Sequence, residues 1–392
     1  MNAYDWIVVG AGITGAALGY ELAKQGNSVL VLDQSETPQS ATRWSYGGIA
    51  YWSGTTDLTR QLCAEGIEIH RSLSLELDAD TEFREIDLLL TIAAENDPTA
   101  IAASYSHFAI PPKLLSSQEA CELEPLLDPM GISGALTVKH GHIETEKTAQ
   151  AYCQAMQRLG GKTAIAPVKE LIRGSTNGST NRITGVITSD NTKLEAANVA
   201  ICMGGITREF LKWMEMPVTQ YFTHAEILET SPVDLRLNTL VMPAEAERFK
   251  LEADATRPEV DALWETPGHE PAPFILDAGA VQFLDGRIRI GQTSRTLTDP
   301  NAVIDAQQSE RELRSKIGRV LPAIAQLPGT YQRCLIAFSR DRLPLVGAIP
   351  GIEGVHVFSG FSNPLAIVPP LARRFAAQTS DPILEKLSPA RF

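Results

Sequence analysis

Apolar residues fall first into a strand, turn, helix, strand pattern. Trp6-Ile7-Val8-Val9 is a continuous apolar run that breaks on Gly10, Gly12 and Gly15. Good helix formers fill 13–25 and stop at Gly26-Asn27, and Ser28-Val29-Leu30-Val31-Leu32 resumes as a buried strand. This predicts a parallel βαβ unit, complete by Asp33. Residues 35–54 sustain neither period and read as a polar, aromatic, glycine-bearing loop. Helical spacing returns over 57–77. Strands are expected over 83–94, with Asn96-Asp97-Pro98 as a breaker, then a strand over 134–145 and a helix over 146–159 that ends at Gly160-Gly161. Segments 168–172 and 183–189, joined by a Gly/Ser/Thr/Asn turn over 174–181, form a β-meander ahead of the core strand 199–203. Alternating segments at 221–229, 274–277, 280–283 and 287–292 predict a mostly antiparallel sheet interrupted by a polar insertion over 244–270. A helix over 306–317, a strand over 355–358, a Gly-Phe-Ser-Asn-Pro turn and a last helix close the chain; Pro369 and Pro370 are expected to kink that helix.

At 392 residues the chain exceeds one compact core, so two domains are expected. The fold class is α/β, α+β overall: a Rossmann-like domain with a parallel sheet and β-meander, built from 1–82, 145–216 and 331–392. The second domain, 83–144 and 217–330, is mostly antiparallel sheet. A net charge of -13 with no basic run leaves no footprint for nucleic acid. Five scattered cysteines, none in a Cys-x-x-Cys pair, point to neither a disulfide framework nor zinc, and fit a reducing cytoplasm. The first residues lead straight into the apolar run, so no signal peptide is expected; no window reaches the roughly 18 apolar residues of a membrane span. Nothing sets the oligomeric state.

The opening turn carries the first chemistry. In Gly10-Ala11-Gly12-Ile13-Thr14-Gly15 the first glycine permits a tight turn, the second lets backbone approach a pyrophosphate, and the third lets helix and strand pack closely. Asp33, followed by Gln34, ends the next strand, where a carboxylate can accept from a ribose diol and disfavours a 2′-phosphate. This fits NAD or FAD. The second loop, Thr42-Arg43-Trp44-Ser45-Tyr46-Gly47-Gly48, favours FAD, because a dinucleotide bearing a flavin needs a further cradle. Near the end of the chain, Asn363 stands as an N-cap and Pro364 at the first helical position, so amides ahead of Leu365 would face whatever precedes them, a reduced flavin anion being a suitable occupant.

Together, Gly10 to Asp33, the Ser-Tyr-Gly-Gly loop, Val168, Cys202-Met203-Gly204-Gly205 and the stretch 341–361 resemble the D-amino-acid oxidase superfamily, in its glycine oxidase and sarcosine oxidase branch. The resemblance spans nearly the whole chain. It implies FAD, oxidation of small amines or amino acids, and a flavin lined by Asp341, Leu343-Pro344, Gly347 and Gly360-Phe361. Phe361-Ser362-Asn363-Pro364-Leu365 replaces the family's histidine and clustered glycines, and no lysine lies between Val355 and Ala372. In sarcosine oxidases such a lysine promotes reaction with oxygen, so a dehydrogenase passing electrons to a quinone or carrier stands beside an oxidase. Cys334, seven residues before Asp341, has the spacing of the family's covalent flavin link. Noncovalent FAD is expected, with the link at Cys334 left open.

For a substrate carboxylate, arginine offers a two-toothed fork. Arg340 is the first candidate, with Arg43, Arg289 and Arg295 behind it; many glycine-oxidase-like sequences carry their arginine a few residues earlier, where Ile336 stands. His224 shares a strand face with Phe222 and is a candidate to bind substrate or polarise the amine, and Tyr46 and Gln282 are further candidates. His140-x-His142 with Glu144 mimics a metal cluster, but no third ligand or open position is evident and no metal is expected. The expected reaction is hydride transfer from the carbon beside an amine nitrogen, giving an imine that water hydrolyses. A nicotinamide dehydrogenase and an FAD-bound assembly or chaperone protein without turnover are the alternatives.

Overall fold

The computed structural model describes residues 3–37, 40–176, 179–245 and 247–392. Of the turn expected over 174–181, residues 177 and 178 lie outside them. The opening unit forms as the pattern requires: strand Tyr4–Val9, helix Ile13–Lys24 and strand Val29–Asp33, the strands pairing in parallel through Trp6 opposite Val29. The first sheet runs in the order Leu345–Ala348, Val355–Ser359, Lys193–Ile201, Tyr4–Val9, Val29–Asp33, Lys162–Ile165, and its five central and outer strands from Val355–Ser359 onward pair in parallel. Val168–Thr176 and Ser179–Thr188 form the meander beside it. Helices Ile13–Lys24, Thr145–Arg158 and Pro364–Ala376 cover one face, where Leu18, Leu22, Met156, Val368 and Leu371 are fully buried. Parallel strands buried on both faces need such cover.

The second sheet has the order Gly329–Phe338, Tyr221–Thr230, Ile288–Arg295, Ile275–Gln282, Leu240–Pro243, Arg84–Ala93, Ile132–His142, Gly48–Ile49, with Lys113–Ser116 also paired to Ile132–His142. All pairs are antiparallel except Leu240–Pro243 with Arg84–Ala93. Two crossings differ from the sequence boundaries. Gly48–Ile49 already joins the second sheet, and Gly329–Phe338 still belongs to it, so the last return to the first sheet follows Phe338. The insertion is helical where described, with Arg248–Asp254 and Pro258–Asp261. Among the described residues, no helix is long and apolar enough to cross a membrane.

The helix Pro364–Ala376 runs through Pro369 and Pro370 as one element. Each proline removes the N–H that would bond four residues back, freeing the carbonyls of Leu365 and Ala366. Both are accommodated by helix Asp57–Glu76. His70 Nε2 donates to Leu365 O at 2.6 Å, and Ala366 O sits against Gly66, where a Cβ would come within 1.7 Å of it. Burial holds His70 down at about 4, so its ring is the neutral donor this bond requires.

Candidate active site

At the carboxyl ends of the parallel strands lies a cleft, where open α/β sheets bind nucleotides. A cavity of about 250 Å³ is walled by Gly10, Gly12 to Thr14, Asp33 and Gln34 at one end and by Met203 to Ile206, Leu335 to Ala337 and Ser359 to Phe361 at the other. A second, of about 420 Å³, adjoins it through Gly12, Asp33, Ser40 and Thr42, and takes in Ala11 and Arg43. The whole suits a stretched dinucleotide.

The two glycine-bearing loops are tied together, since Thr42 Oγ1 accepts from Ile13 N at 2.9 Å. Asp33 Oδ2 accepts from Ala11 N at 2.6 Å and Oδ1 from Gln34 N at 2.7 Å and Ser35 N at 3.4 Å, which fixes the carboxylate and leaves a lone pair on Oδ2 to spare. Helix Ile13–Lys24 has Gly12 at its N-cap with no side-chain cap, so first-turn amides other than that of Ile13 face the cleft. At the far end Pro364 and Leu365 also line the cavity, so helix Pro364–Ala376 presents its N-terminus there. Asn363 is the N-cap residue, but its side chain donates to Ala50 O at 3.2 Å and leaves the amides uncapped.

Of the residues picked from the sequence, Gly10 to Thr14, Asp33, Gln34, Thr42, Arg43, Ser45, Val168, Met203 to Gly205, Gly360, Phe361, Pro364 and Leu365 line these cavities. Gly15 stands behind the wall, packed on the Gly10 carbonyl. Tyr46, Gly47, Gly48, Ser362, Asp341 and Leu343 are not on the lining. Gly47 O accepts from Ile143 N at 3.0 Å and Gly48 pairs with His142, docking that loop on the second sheet. Asp341 instead holds its own turn, accepting from Leu343 N, Ser339 Oγ and Arg391.

The roof comes from one strand edge. Across the sheet Thr223 stands opposite Ile336 and Ala225 opposite Cys334, and Ala225, Ile227 and Cys334 pack with Trp44, Tyr46 and Ile336. His224 pairs with Leu335, so alternation turns it away from Trp44; its Nε2 bonds Asp299 O at 3.0 Å, and burial takes it down to about 4. Arg340 is likewise engaged elsewhere, 3.2 Å from Asp261 and 3.2 Å from the Tyr221 hydroxyl, on the exposed side of the insertion. Tyr46 keeps a buried hydroxyl without a partner, and burial pushes its ionisation far up. Arg289 is buried between the Trp44 and Phe283 rings, paired with Glu229 at 2.7 Å and bonded to Ser45 O. Arg295 pairs with Glu226 at 2.6 Å, and Gln282 bonds Leu235 O and Leu237 N.

The metal-like trio has other work. His140 Nδ1 accepts from Trp52 Nε1 at 3.0 Å, His142 packs edge-on to Phe283, and Glu144 caps helix Thr145–Arg158 through Lys147 N. Burial holds both histidines at about 3 and therefore neutral at pH 7.

The sequence reading missed Ser40, Leu335, Ala337 and Gln220. Alternation puts Leu335 and Ala337 on the face opposite Cys334 and Ile336, so it gives no signal for a cavity that all of 335–337 line, and for Gln220, a lone polar residue before a strand, there is none either. Gln220 Nε2 donates to Gly204 O at 2.9 Å while its Oε1, facing Gly360, is buried without a partner, as are Ser40 Oγ and Ser362 Oγ. Ser40 lines the cleft, and Gln220 and Ser362 stand beside its lining residues Gly360 and Phe361; buried polar atoms left open there are what a polar ligand completes, and FAD, with its hydroxyls, phosphates and ring amides, fits this donor and acceptor set.

Comparison with known proteins agrees. The chain is 25% identical over 376 residues to the uncharacterised oxidoreductase YurR of Bacillus subtilis (strain 168), covering 91% of this chain and 89% of that protein. The fold is that of glycine oxidase from Geobacillus kaustophilus, with a TM-score of 0.78, 19% identity and 100% of both chains covered. L-proline dehydrogenase from P. horikoshii gives the same TM-score at 19% identity over 100% of this chain and 98% of that one. The DAO model, described as FAD dependent oxidoreductase, matches residues 5–378. With the cleft, its open polar atoms and this match in hand, the chain belongs to the DAO family of FAD-dependent oxidoreductases.

Proposed function

We propose that the enzyme oxidises the C–N bond of a small amine or amino acid, of the glycine, sarcosine, proline or D-amino-acid kind, to an imine that water hydrolyses. The observation that carries this reading is a dinucleotide cleft whose far end is lined by the apolar strand residues Leu335, Ile336 and Ala337, with Trp44, Ala225, Ile227 and Cys334 packed together with Ile336. Glycine oxidase and L-proline dehydrogenase, which share the fold, bring the amine to it. Bound FAD supplies the two-electron acceptor for a hydride from the carbon beside nitrogen. The chain supplies the rest: the apolar wall excludes water and favours the neutral amine, and the open amides of helix Pro364–Ala376 favour negative charge near Leu365. Gln220 and Ser362 keep buried polar atoms open beside the lining residues Gly360 and Phe361 at that end. Electrons then pass to oxygen or to a quinone or carrier, and the lack of a lysine between Val355 and Ala372 favours the carrier.

Anaerobic mixing with glycine, sarcosine, proline and D-amino acids is expected to bleach the yellow absorbance with at least one of them. Bleaching by NADH alone, or by none of the amines, would remove the reading. Readmitted air and added quinone then separate the acceptors by their reoxidation rates.

FAD is expected to be noncovalent. Cys334 lies buried under Trp44, and burial pushes its thiol up to about 12, so no thiolate is at hand to attack the ring. Acid precipitation is expected to leave the colour in the supernatant. Colour retained in the pellet and released by Cys334→Ser would reverse this.

A further inference from the structure

One side chain on the cofactor cleft carries a charge that no other side chain balances. The acids on the two cavities are Asp33, Glu36 and Glu146, and among the described residues that line them Arg43 is the one cation. It stands on the short helix Ala41–Trp44, half-buried, with its guanidinium 4.9 Å from the centre of the Trp44 ring. That stacking orients the fork without using any of its donors. Among the described residues Arg43 makes no hydrogen bond and no ion pair, although the three carboxylates share its cavity.

Two hydroxyls on the same lining are open as well. Ser40, the N-cap residue of that short helix, lines both cavities, and its buried Oγ caps nothing and has no partner. Thr145, the first residue of helix Thr145–Arg158, lines the first cavity, is 1% exposed, and keeps its Oγ1 without a partner. Cations beside Thr145 are engaged, Arg287 by Glu144, Glu229 and Asp285, and Lys147 by Glu82. The corner is therefore short of positive charge. Each phosphate of a dinucleotide brings a negative charge to it, and the start of helix Ile13–Lys24 offsets roughly half of one. Gly12, Ser40 and Thr42, where that helix start meets the second loop, belong to both cavities, and Arg43 follows Thr42 directly.

We propose that Arg43 neutralises the diphosphate of FAD, with the Ser40 and Thr145 hydroxyls donating to the cofactor alongside it, so that this chain adds a side-chain charge to a grip otherwise made of main-chain amides. The inference rests on the cofactor and is independent of the amine-oxidising reading. An acceptor-only, doubly charged group is what an unpaired guanidinium and open hydroxyls complete, and a bidentate guanidinium contact is among the stronger ones available to it. Adenosine alone, without phosphate, gains nothing from Arg43.

The test needs no turnover. FAD release from the diluted holoprotein is read by the fluorescence of the freed flavin, with ADP and adenosine added as competitors. In the parent, ADP is expected to displace FAD at a concentration at least tenfold below that of adenosine. Arg43 makes no bond that the fold depends on, so Arg43→Gln keeps the fold. It is expected to raise the Kd for FAD about tenfold or more and to bring ADP and adenosine within about threefold of each other, with Arg43→Lys in between. Ser40→Ala and Thr145→Val are each expected to raise the Kd for FAD about threefold or more, and Thr145→Ser to keep it. An ADP preference that survives Arg43→Gln overturns the proposal, because the charge is then not read there. So does an equal loss of ADP and adenosine, which marks a loosened pocket instead. FAD affinity unmoved by both hydroxyl variants removes Ser40 and Thr145 from the grip.

Discussion

Gly15→Ala is expected to yield protein that purifies colourless and takes up FAD at least a hundredfold more weakly. A Cβ at this position would lie 1.8 Å from the Gly10 carbonyl oxygen, 3.0 Å from its carbon and 3.1 Å from Cys202 Cβ. None of these is the free end of a flexible side chain. The helix could make room only by moving away from the strand, and the amides it aims at the pyrophosphate would move with it. Stability should fall as well, since a cofactor bound at a thousand times its Kd adds about 4 kcal/mol to the folded state. Flavin absorbance per protein, an FAD titration and a melting curve measure this. An FAD affinity within about threefold of the parent would show that the close approach does not set the cradle.

The second large effect is expected at Gly66, which is far from the glycine-rich turn and touches no ligand. Gly66→Ala would place a Cβ 1.7 Å from the Ala366 carbonyl oxygen and 2.8 Å from its carbon. Overpacking in a rigid interior costs about 1–3 kcal/mol, and here the obstacle is backbone held in a helix, so about 3 kcal/mol is expected. At about 2.1 cal/mol/K of unfolding entropy per residue, a chain of this size loses roughly 3–4 °C of melting temperature. Because Pro364 and Leu365, two and one residues before Ala366, line the cofactor cavity, FAD affinity should fall in parallel. A melting point within about 2 °C of the parent would show that the two helices part more easily than their contact implies.

Those two glycines mark what the sequence could and could not disclose. Gly15 was legible because its partner, Gly10, is five residues away within one unit, and a glycine pattern between two apolar runs reports a local geometry. Gly66 was silent because its partner is three hundred residues on. The same holds for the prolines: a kink is the expectation from Pro369 and Pro370 alone, whereas what meets the freed carbonyls, His70 as donor to Leu365 O and Gly66 as room for Ala366 O, comes from another helix. Strand alternation correctly paired Phe222 with His224 on one face, their rings 5.6 Å apart, but could not tell which face meets Trp44, since that depends on how the sheet docks. Arg340 and Asp341 were visible as neighbours of the flavin turn; their ion pairs, to Asp261 and Arg391, come from segments without pattern. The glycine turns of the cofactor cradle were thus largely readable, and the side-chain pairings that depend on how the sheets dock were not.

The parallel strand Val355–Ser359 sits beside Lys193–Ile201, which in turn sits beside Tyr4–Val9, so the two ends of the cofactor cradle are contributed by segments some 350 residues apart. During synthesis the opening turn emerges early and waits. No nascent chain that still holds Leu365 inside the ribosomal tunnel can close around the prosthetic group, so flavin acquisition waits on the segment that carries this helix start.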